Sequence, residues 1–505
     1  ARLPALAATL VALLVASAVP AMAQTPTITG EERLVGGLTH ERFRVQLGDG
    51  EVARGNLLRF RENDPNLRLR PELARRQVNG LETPISMARR LGSQNALAGT
   101  NGGYWVDRPS GNPNGLHVQD GRLTSTNATA DSGGWRSRSA LGIGADGEVL
   151  LDQVEVETTL TFPDGTSIQR PQIYMNRRVL PDAARSDIVV YDDQFGISIH
   201  VPEGAVLLRL SGLDLRSGGT AIGTVRGRIV DHEGDRYLTL PAGDSAVVFH
   251  RSAPQKDRAA SLPSGASLQI DTRVVPRQAA GQWPSDLQGA LAAGGTLLRN
   301  GAAPSQIEWT SEAFPSGHFS ARHPRTAIGR TPDGEVLLVT VDGQRRVNGV
   351  VTNQGWSVGM TARELAGMLR AMGARDAVNL DGGGSTTMTV GGEIANRPSE
   401  TGRSVASGLF IHYLPTFYDV PMEHGFYEQI EWLVEHGIAE GFADGRFRPT
   451  APVSRQAAVA FLHRMSGEPG GGFSNDFSDV PPEHPFHDAI SWAAEVGLTT
   501  GFADG

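Results

Sequence analysis

A glycine-rich segment carries the strongest chemical signal in this sequence. It follows the short apolar run 377–380, which predicts a buried strand with a carboxylate at its end. Glycines let a backbone approach a ligand closely and point amides at an anion, and hydroxyl side chains add further donors. The pattern therefore predicts a phosphate site beside a carboxylate. The residues that would form it are Asp381, Gly382, Gly383, Gly384, Ser385 and Thr386.

Two earlier segments have residue types that would complete such a site. Residues 99–105 combine an amide, permissive glycines and an aromatic ring suited to a sugar face, although a turn with core aromatics would look the same. Residues 323–329 supply a guanidinium that could hold phosphate through two bonds, or a simple surface arginine. The substrate-binding residues expected from them are Asn101, Gly102, Gly103, Tyr104, Arg325 and Thr326.

The elements that must position these residues form an α+β domain with a mixed, largely antiparallel sheet and few helices. Strand-like runs alternate with Asp-Gly turns, which is typical of antiparallel pairing. Thr361 and Glu364 form a capping box at the start of a predicted helix that ends at Gly373. The runs 138–151 and 325–338 match without gaps at an offset of 187, which predicts two equivalent hairpins, each led by an arginine.

In order along the chain, the segments 101–105, 324–329, 341–343 and 379–387 resemble the phosphodiester glycosidase family. The resemblance covers about residues 30–413 and implies hydrolysis of the sugar C1–O bond in glycosyl-1-phosphodiesters, without a cofactor. It places Asp381 at the anomeric carbon as nucleophile, base or electrostatic stabiliser, and Asp342 as the second carboxylate. Arg403 belongs to a segment similar to the family's closing motif and is expected to bind substrate. The long stretch between Tyr104 and His323 departs from the family.

The C-terminal segment contains an internal repeat at an offset of 60, in which 417–421 recurs as 477–481 and 441–445 as 501–505. Its motifs resemble the S-layer homology module, which implies small all-α repeats that bind a cell-wall polysaccharide non-covalently. Arg455 is the expected anchoring residue, although Gln456-Ala457 stands where that family usually has Ala-Glu. Trp432 and Phe442 are expected to be core residues.

The N-terminus predicts export. Arg2 precedes an apolar run and the small-residue sequence 21–23, which is typical of a signal peptide cleaved before Gln24. The first residue is Ala1 and the second repeat is incomplete, which indicates a piece of a longer exported protein. The expected organisation is a signal peptide (1–23), a catalytic domain (24–413), repeat 1 (417–467), a linker (468–476) and a truncated repeat 2 (477–505).

Composition narrows the functional classes. The 505 residues carry a net charge of -9 and no cysteine, which excludes disulfides, thiolate metal sites and thiol nucleophiles, and argues against nucleic-acid binding. His318 and His323 lack a metal-binding spacing, so no metal is expected. No integral membrane segment is expected after signal cleavage.

These features favour a secreted, bacterial cell-wall-associated hydrolase of sugar-1-phosphodiesters, acting in cell-surface or extracellular polysaccharide metabolism. A non-catalytic, wall-anchored protein that binds phosphosugar polymers is the alternative that the composition equally permits. A metal-dependent phosphodiesterase, which would break the P–O bond, is a third hypothesis without a convincing ligand set.

Overall fold

The chain divides into two compact units, with the boundary between His412 and Tyr413. A computed structural model describes residues 25–106, 111–126, 128–129, 135–136, 138–169, 173–177, 187–230, 232–277, 283–305, 312, 314, 316–422, 424–442 and 444–501. The predicted signal peptide and the repeat motif at 502–505 lie outside the described residues. The first unit holds the predicted phosphate site, and the second holds the predicted repeats.

Strands are the main regular secondary structure of the first unit. Most of the described pairs are antiparallel, and Ile173–Met175 with Ile188–Asp192 is a parallel pair. This confirms the predicted α+β class with a largely antiparallel sheet. The first strands are β1 Thr27–Arg33, β2 Thr39–Gln46, β3 Val52–Arg61, β4 Leu67–Leu73 and β5 Ala96–Asn101. The middle strands are β6 His117–Gln119, β7 Arg122–Ser125, β8 Ala128–Thr129, β9 Trp135–Arg136, β10 Arg138–Ile143, β11 Val149–Thr161, β12 Ser167–Gln169, β13 Ile173–Met175, β14 Ile188–Asp192, β15 Ile199–Val201, β16 Val206–Ser211, β17 Gly219–Ile229, β18 Arg236–Leu238, β19 Asp244–Phe249, β20 Ser267–Pro276 and β21 Gly289–Ala292. The last strands are β22 Thr296–Leu298, β23 Arg325–Arg330, β24 Glu335–Val341, β25 Arg345–Val347, β26 Val350–Thr352, β27 Asp376–Asn379, β28 Met388–Val390, β29 Glu393–Ile394 and β30 Ser407–Tyr413.

Both ends of the first unit contribute to the two sheets that carry the predicted site. One sheet has the order β1-β2-β3-β24-β23-β27-β22, and the other has the order β29-β28-β5-β30-β4. The middle of the chain forms a separate sheet ordered β13-β14-β19-β16-β17-β20-β11-β10-β21-β6-β7, with β12 paired to β11. The long segment between Tyr104 and His323 therefore adds a sheet beside those of the site.

Helices are few and short in the described part of the chain. In the first unit they are α1 Pro84–Gly92, α2 Lys256–Ser261, α3 Ser316–Ser320 and α4 Ala362–Ala371, with 3₁₀ turns at Val35–Gly37, Ala74–Arg76, Asp193–Phe195 and Gly383–Ser385. The predicted capping box of α4 is confirmed, because Thr361 and Glu364 each accept a bond from the other's backbone N–H. Leu365, Met368 and Leu369 of α4 pack into the core cluster that also contains residues of β23 and β24.

The two hairpins expected from the repeated sequence are also confirmed. Arg138 on β10 pairs with Val154 on β11, and Arg325 on β23 pairs with Val341 on β24, so the pairing register is the same in both copies. Both arginines are buried, at 8% and 1% exposure. The repeated arginine therefore marks an interior position in each hairpin.

The second unit is helical, as predicted, with α5 Tyr427–Glu435, α6 Arg455–Met465 and α7 His487–Glu495. Trp492 of the second repeat is buried and contacts His463 of α6. Its counterpart Trp432 is 45% exposed and Phe442 is 48% exposed, so the expectation that both are core residues is wrong. Trp492 owes its burial to a neighbouring repeat helix, whereas the ring of Trp432 stacks on His436 of its own repeat, 4.3 Å between centroids.

Among the residues that the structure describes, none of the helices has the length and apolar character needed to cross a membrane.

Candidate functional site

Asp381 emerges at a junction of the two site-bearing sheets. Strand β27 lies against β23, where Asn379 pairs with Ala327. Leu380, which follows Asn379, donates its N–H to the Thr326 carbonyl at 2.8 Å. The N–H of Asp381 then donates to the carbonyl of Gly102 at the end of β5, at 3.1 Å. The backbone that carries the Asp381 carboxylate is thus hydrogen-bonded to β23 on one side and to the end of β5 on the other.

Asn101 holds this junction together from a fully buried position. Its Nδ2 donates to the Asp381 carbonyl at 2.7 Å, and its Oδ1 accepts bonds from Thr326 Oγ1 at 2.9 Å and from the Thr387 N–H at 3.1 Å. Asn101 and Thr326 are both 0% exposed. These internal bonds support a positioning role for both residues, and the direct substrate contact expected from sequence stays a prediction.

The glycines of the two predicted loops are required by close packing within the protein. A Cβ on Gly102 would lie 2.5 Å from Ser407 Oγ, and one on Gly103 would overlap the Ala292 carbonyl. A Cβ on Gly382 would lie 2.8 Å from the Pro324 carbonyl, while Gly383 has a φ of +60° at the start of the 3₁₀ turn. The glycines therefore let protein segments approach one another, whereas the sequence suggested the approach of a ligand.

The Asp381 carboxylate is partly buried, and this burial raises its pKa to about 6. Three donors act in the opposite direction because they stabilise the charged form: the Ser385 side chain, the Gly382 N–H and the Trp105 side chain. The positive charge of Arg403 also favours ionisation. Asp381 is therefore a carboxylate that titrates near neutral pH within a set of fixed donors.

Tyr104 lies beside this carboxylate in an aromatic cluster. Its hydroxyl hydrogen-bonds His318 Nε2 at 2.8 Å, and its ring contacts Phe314, with 5.2 Å between ring centroids. Burial and the negative charge of Asp381 raise the pKa of the Tyr104 hydroxyl. Burial and nearby arginines lower the pKa of His318 to about 4, so this pair is neutral at pH 7. His318 lies outside the expected set, because an isolated histidine in the sequence gives no signal.

Arg325 does not present its guanidinium in the way that the sequence suggested. The residue is 1% exposed, and its Nε donates to the Met360 carbonyl at 2.8 Å. Its Nη2 donates to the carbonyls of His318 and Ala321 at 2.8 and 2.9 Å. Burial lowers the pKa of Arg325 to about 10. Because backbone carbonyls bind Nε and Nη2, the Nε–Nη2 edge of Arg325 supports a positioning role for α3. A substrate contact by Arg325 stays a prediction.

Asp342 is likewise buried, at 2% exposure, at the end of β24. Its Oδ2 accepts a bond from Trp356 Nε1 at 2.9 Å, and its Oδ1 accepts bonds from Asn396 Nδ2 and the Arg397 N–H, both at 3.0 Å. Burial raises its pKa, against the effect of these donors. A carboxylate with both oxygens bonded inside the protein supports the surrounding loops, and its role as the second catalytic carboxylate stays a prediction.

Arg345, Glu400 and Arg403 form an ion-pair cluster above the glycine-rich loop. Arg345 Nη1 lies 3.2 Å from Glu400 Oε2, and Arg403 Nη1 lies 3.4 Å from Glu400 Oε1. The guanidinium of Arg403 also lies 5.6 Å from the ring centre of Trp105. The sequence singled out Arg403 but not Arg345, which follows Asp342 by three residues on β25 and belongs to no recognised motif.

Gly384 lies directly beneath this cluster, so Gly384→Ala is expected to separate Arg345 from Glu400. A Cβ there would overlap both Arg345 Nη1 and Glu400 Oε2. We expect a cost of about 1–3 kcal/mol in unfolding free energy from overpacking, measured by denaturant titration, with a longer Arg345–Glu400 distance in a crystal structure.

The matched control is Gly367→Ala in α4, where the added Cβ would meet open space. This change should leave stability unchanged or raise it slightly, since alanine is the better helix former. A Gly384→Ala protein as stable as Gly367→Ala, with the ion pair in place, would contradict the packing argument.

Two further residues of the predicted site, Thr386 and Arg455, lie apart from the contacts described above. Thr386 is 1% exposed, and its Oγ1 is buried without a hydrogen-bond partner. Arg455 lies in the second unit, where it lines a cavity of about 560 Å³ together with Phe477, Asp479, His484 and Thr499. Its Nη2 donates to Thr499 Oγ1 at 3.1 Å.

Within the described ranges, there is no group of three or more His, Asp or Glu side chains placed to hold a metal ion.

Comparison with known protein families identifies two matched regions. Residues 219–412 match the phosphodiester glycosidase family, and residues 416–459 match the S-layer homology domain, as the sequence resemblance predicted. The first match begins inside the middle sheet, although β1 to β5 complete the sheets that carry the site.

Curated relatives match over a short stretch. The mouse N-acetylglucosamine-1-phosphodiester alpha-N-acetylglucosaminidase is 33% identical over 111 residues, covering 21% of this chain and 20% of that protein. A prophage-derived protein of Bacillus subtilis is 35% identical over 105 residues, covering 21% of this chain and 15% of that protein. The chain thus spans a fifth or less of the length of these relatives.

Solved structures share the fold over a larger part of the chain. A hypothetical protein from Synechocystis matches with a TM-score of 0.58 at 20% identity. The match covers 77% of this chain and 64% of the Synechocystis chain. A putative exported protein from Burkholderia pseudomallei matches with a TM-score of 0.55 at 24% identity. The match covers 72% of this chain and 74% of the Burkholderia chain. At these identities the likeness concerns the fold.

Proposed function

Starting from a chain with a phosphodiester glycosidase domain at 219–412 and an S-layer homology domain at 416–459, we propose that the first unit hydrolyses the sugar C1–O bond of glycosyl-1-phosphodiesters. The products are a free sugar and a phosphomonoester. The observation that carries this proposal is the Asp381 carboxylate at the junction of two sheets, with a pKa raised to about 6 and with Ser385 and Trp105 as donors.

The chemistry requires little acid catalysis. The departing phosphomonoester is weakly basic, so the site chiefly has to stabilise positive charge that develops at the anomeric carbon. An ionised Asp381 would supply that stabilisation, either by bonding to C1 or by activating a water molecule. In both routes the C1–O bond breaks, its electron pair leaves with the phosphate, and an oxygen from water ends on the sugar.

Isotope labelling tests the proposal directly. Residues 24–505 would be incubated with UDP-N-acetylglucosamine in ¹⁸O-water, and the position of the label would be determined by mass spectrometry. Label on the released sugar supports C1–O cleavage, whereas label on phosphate indicates a phosphodiesterase. Binding without turnover across a panel of such diesters would favour the wall-anchored binding protein.

The pH profile should show the reactive form of Asp381. Because burial raises its pKa to about 6, a role for the ionised carboxylate predicts that kcat/KM rises about tenfold per pH unit below pH 6 and levels off above it. The phosphodiester substrate does not titrate in this range, and His318, with a pKa of about 4, is mostly neutral above about pH 5. Initial rates between pH 4.5 and 8.5 measure this profile, and activity that falls above pH 6 would instead make Asp381 the acid.

The S-layer homology domain indicates attachment at a bacterial cell surface. We propose that this attachment is to a cell-wall polysaccharide, with Arg455 in the second-unit cavity as a contact. Secretion through the N-terminal signal peptide accords with such a location. A co-sedimentation assay with purified cell-wall sacculi, comparing the full chain with Arg455→Gln, would test the anchoring residue.

A further inference from the structure

Backbone carbonyls occupy the Nε–Nη2 edge of Arg325, so this edge does not serve as a bidentate phosphate ligand in the structure. Two cations near the glycine-rich loop are partly exposed. The side chains of Arg345 and Arg403 are 38% and 29% exposed. Glu400, at 28% exposure, contacts both through their Nη1 atoms. Two positive charges face the one negative charge of Glu400, and Asp381 is the second carboxylate on which Arg403 acts.

The Nε–Nη2 edge of Arg403 carries a donor without a partner. Its Nη1 contacts Glu400, so the Nε–Nη2 edge points away from that contact, and Nε is buried without a hydrogen-bond partner. A buried donor without a partner costs free energy, which an arriving acceptor recovers. Phosphate oxygens match the spacing of this edge, because they accept two parallel N–H bonds from a guanidinium.

The cluster also lies at the correct place relative to the reacting carboxylate. The charge of Arg403 acts on Asp381, while its guanidinium covers the Trp105 ring at 5.6 Å. Arg345 stands over Gly384, three residues after Asp381. A phosphate bound by Arg403 on the side away from Glu400 would therefore lie near the group that faces C1.

We propose that Arg345 and Arg403 form the binding site for the phosphodiester anion, with the Nε–Nη2 edge of Arg403 as its bidentate ligand. This inference rests on the proposed function for the role of the anion as substrate, but the binding site itself can be tested without turnover. A purely structural ion-pair network is the competing explanation, and it predicts no anion affinity.

The test measures equilibrium binding of UDP, the product expected from UDP-N-acetylglucosamine, by calorimetry at pH 7.5 with the full chain. Arg345→Gln and Arg403→Gln are each expected to weaken UDP binding by about tenfold to a hundredfold, the range for losing a charge-assisted hydrogen bond. Inorganic phosphate should compete with UDP in the parent protein. Binding should also weaken as salt is raised, since the interaction is between charges.

The matched control is Arg346→Gln on the same strand. Arg346 is exposed and donates to the Gly349 carbonyl at 2.9 Å. The Arg346→Gln substitution therefore removes one positive charge from the same hairpin without changing a residue of the cluster. Its UDP affinity should equal that of the parent protein, and thermal midpoints establish that all variants are folded.

Three outcomes decide the matter. Weaker binding in both cluster variants but not in Arg346→Gln supports the site. Parent-like binding in both cluster variants, or no UDP binding by the parent protein, overturns it. UDP binding that depends on Arg345 and Arg403, in a protein that hydrolyses no diester, would retain the anion site and reject the proposed hydrolase.

Discussion

Asp381→Asn is expected to lower kcat by about a thousandfold or more while the protein remains folded. The substitution keeps the size of the side chain and an oxygen that can accept bonds from Ser385 and Trp105, but it removes the charge that would stabilise the anomeric centre. The measurement is steady-state hydrolysis of UDP-N-acetylglucosamine, with circular dichroism as the test of folding. A rate near that of the parent protein would remove Asp381 from the mechanism.

The same variant should be more stable than the parent protein at neutral pH. Burial raises the pKa of Asp381 from its ordinary value to about 6, so the folded state binds this proton more tightly than the unfolded state does. The stabilisation is therefore present below about pH 4 and is lost as pH rises through about 6. Asp381→Asn should gain about 1–3 kcal/mol at pH 7.5 and little at pH 4.

Asp376→Asn on β27, the strand that leads to Asp381, is the matched control for stability. Asp376 is a partly exposed carboxylate that accepts a bond from the Asn300 N–H at 2.8 Å, so its removal should not stabilise the fold. Denaturant titrations at the two pH values measure both variants. An Asp381→Asn protein that is less stable than the parent at pH 7.5 would show that the charge is better solvated than its burial indicates.

Asn101→Ala is expected to cost about 3 kcal/mol in unfolding free energy and to lower kcat about a hundredfold. The truncation leaves the Thr387 N–H and Thr326 Oγ1 without their acceptor, and a buried donor without a partner costs about 1–3 kcal/mol. It also releases the Asp381 carbonyl from its bond to Nδ2. Misplacing a reacting group by about 1 Å is enough for a hundredfold loss.

Asn176→Ala separates the loss of stability from the loss of positioning. Asn176 is also buried, at 1% exposure, and it bonds Asp192 and the Thr124 carbonyl in the separate middle sheet. We expect it to lose stability similarly but to keep kcat. Equal losses of kcat in the two variants would mean that Asn101 acts only through global stability.

Local sequence patterns predicted the local structure well. The α4 capping box and the two arginine-led hairpins depend on residues close together in sequence, and all three are present. The motif around Asp381 was also informative, because a carboxylate that directly follows a short apolar run is typically found at the end of a buried strand.

The direction in which a side chain points depends on distant packing, and there the sequence was a weaker guide. Arg325 reads as an anion ligand, yet helix α3 and Met360 surround its guanidinium with carbonyls contributed by segments up to 35 residues away. Arg345 lies in no motif, and it meets Glu400 only because β25 folds over the glycine-rich loop. No spacing rule predicts either contact.

Strand β30, Ser407–Tyr413, reaches the boundary between the two units. It lies between β4 and β5 rather than at a sheet edge, and all seven of its residues are buried. It pairs with the strand that ends in Asn101, about three hundred positions earlier in synthesis. A chain growing from its N-terminus therefore cannot complete this sheet until residue 413 has been made. The sheet beside Asp381 is completed only when the end of the first unit has been made. If the proposed hydrolysis occurs, a chain interrupted before Ser407 should lack it, and any active truncation must retain the chain through Tyr413.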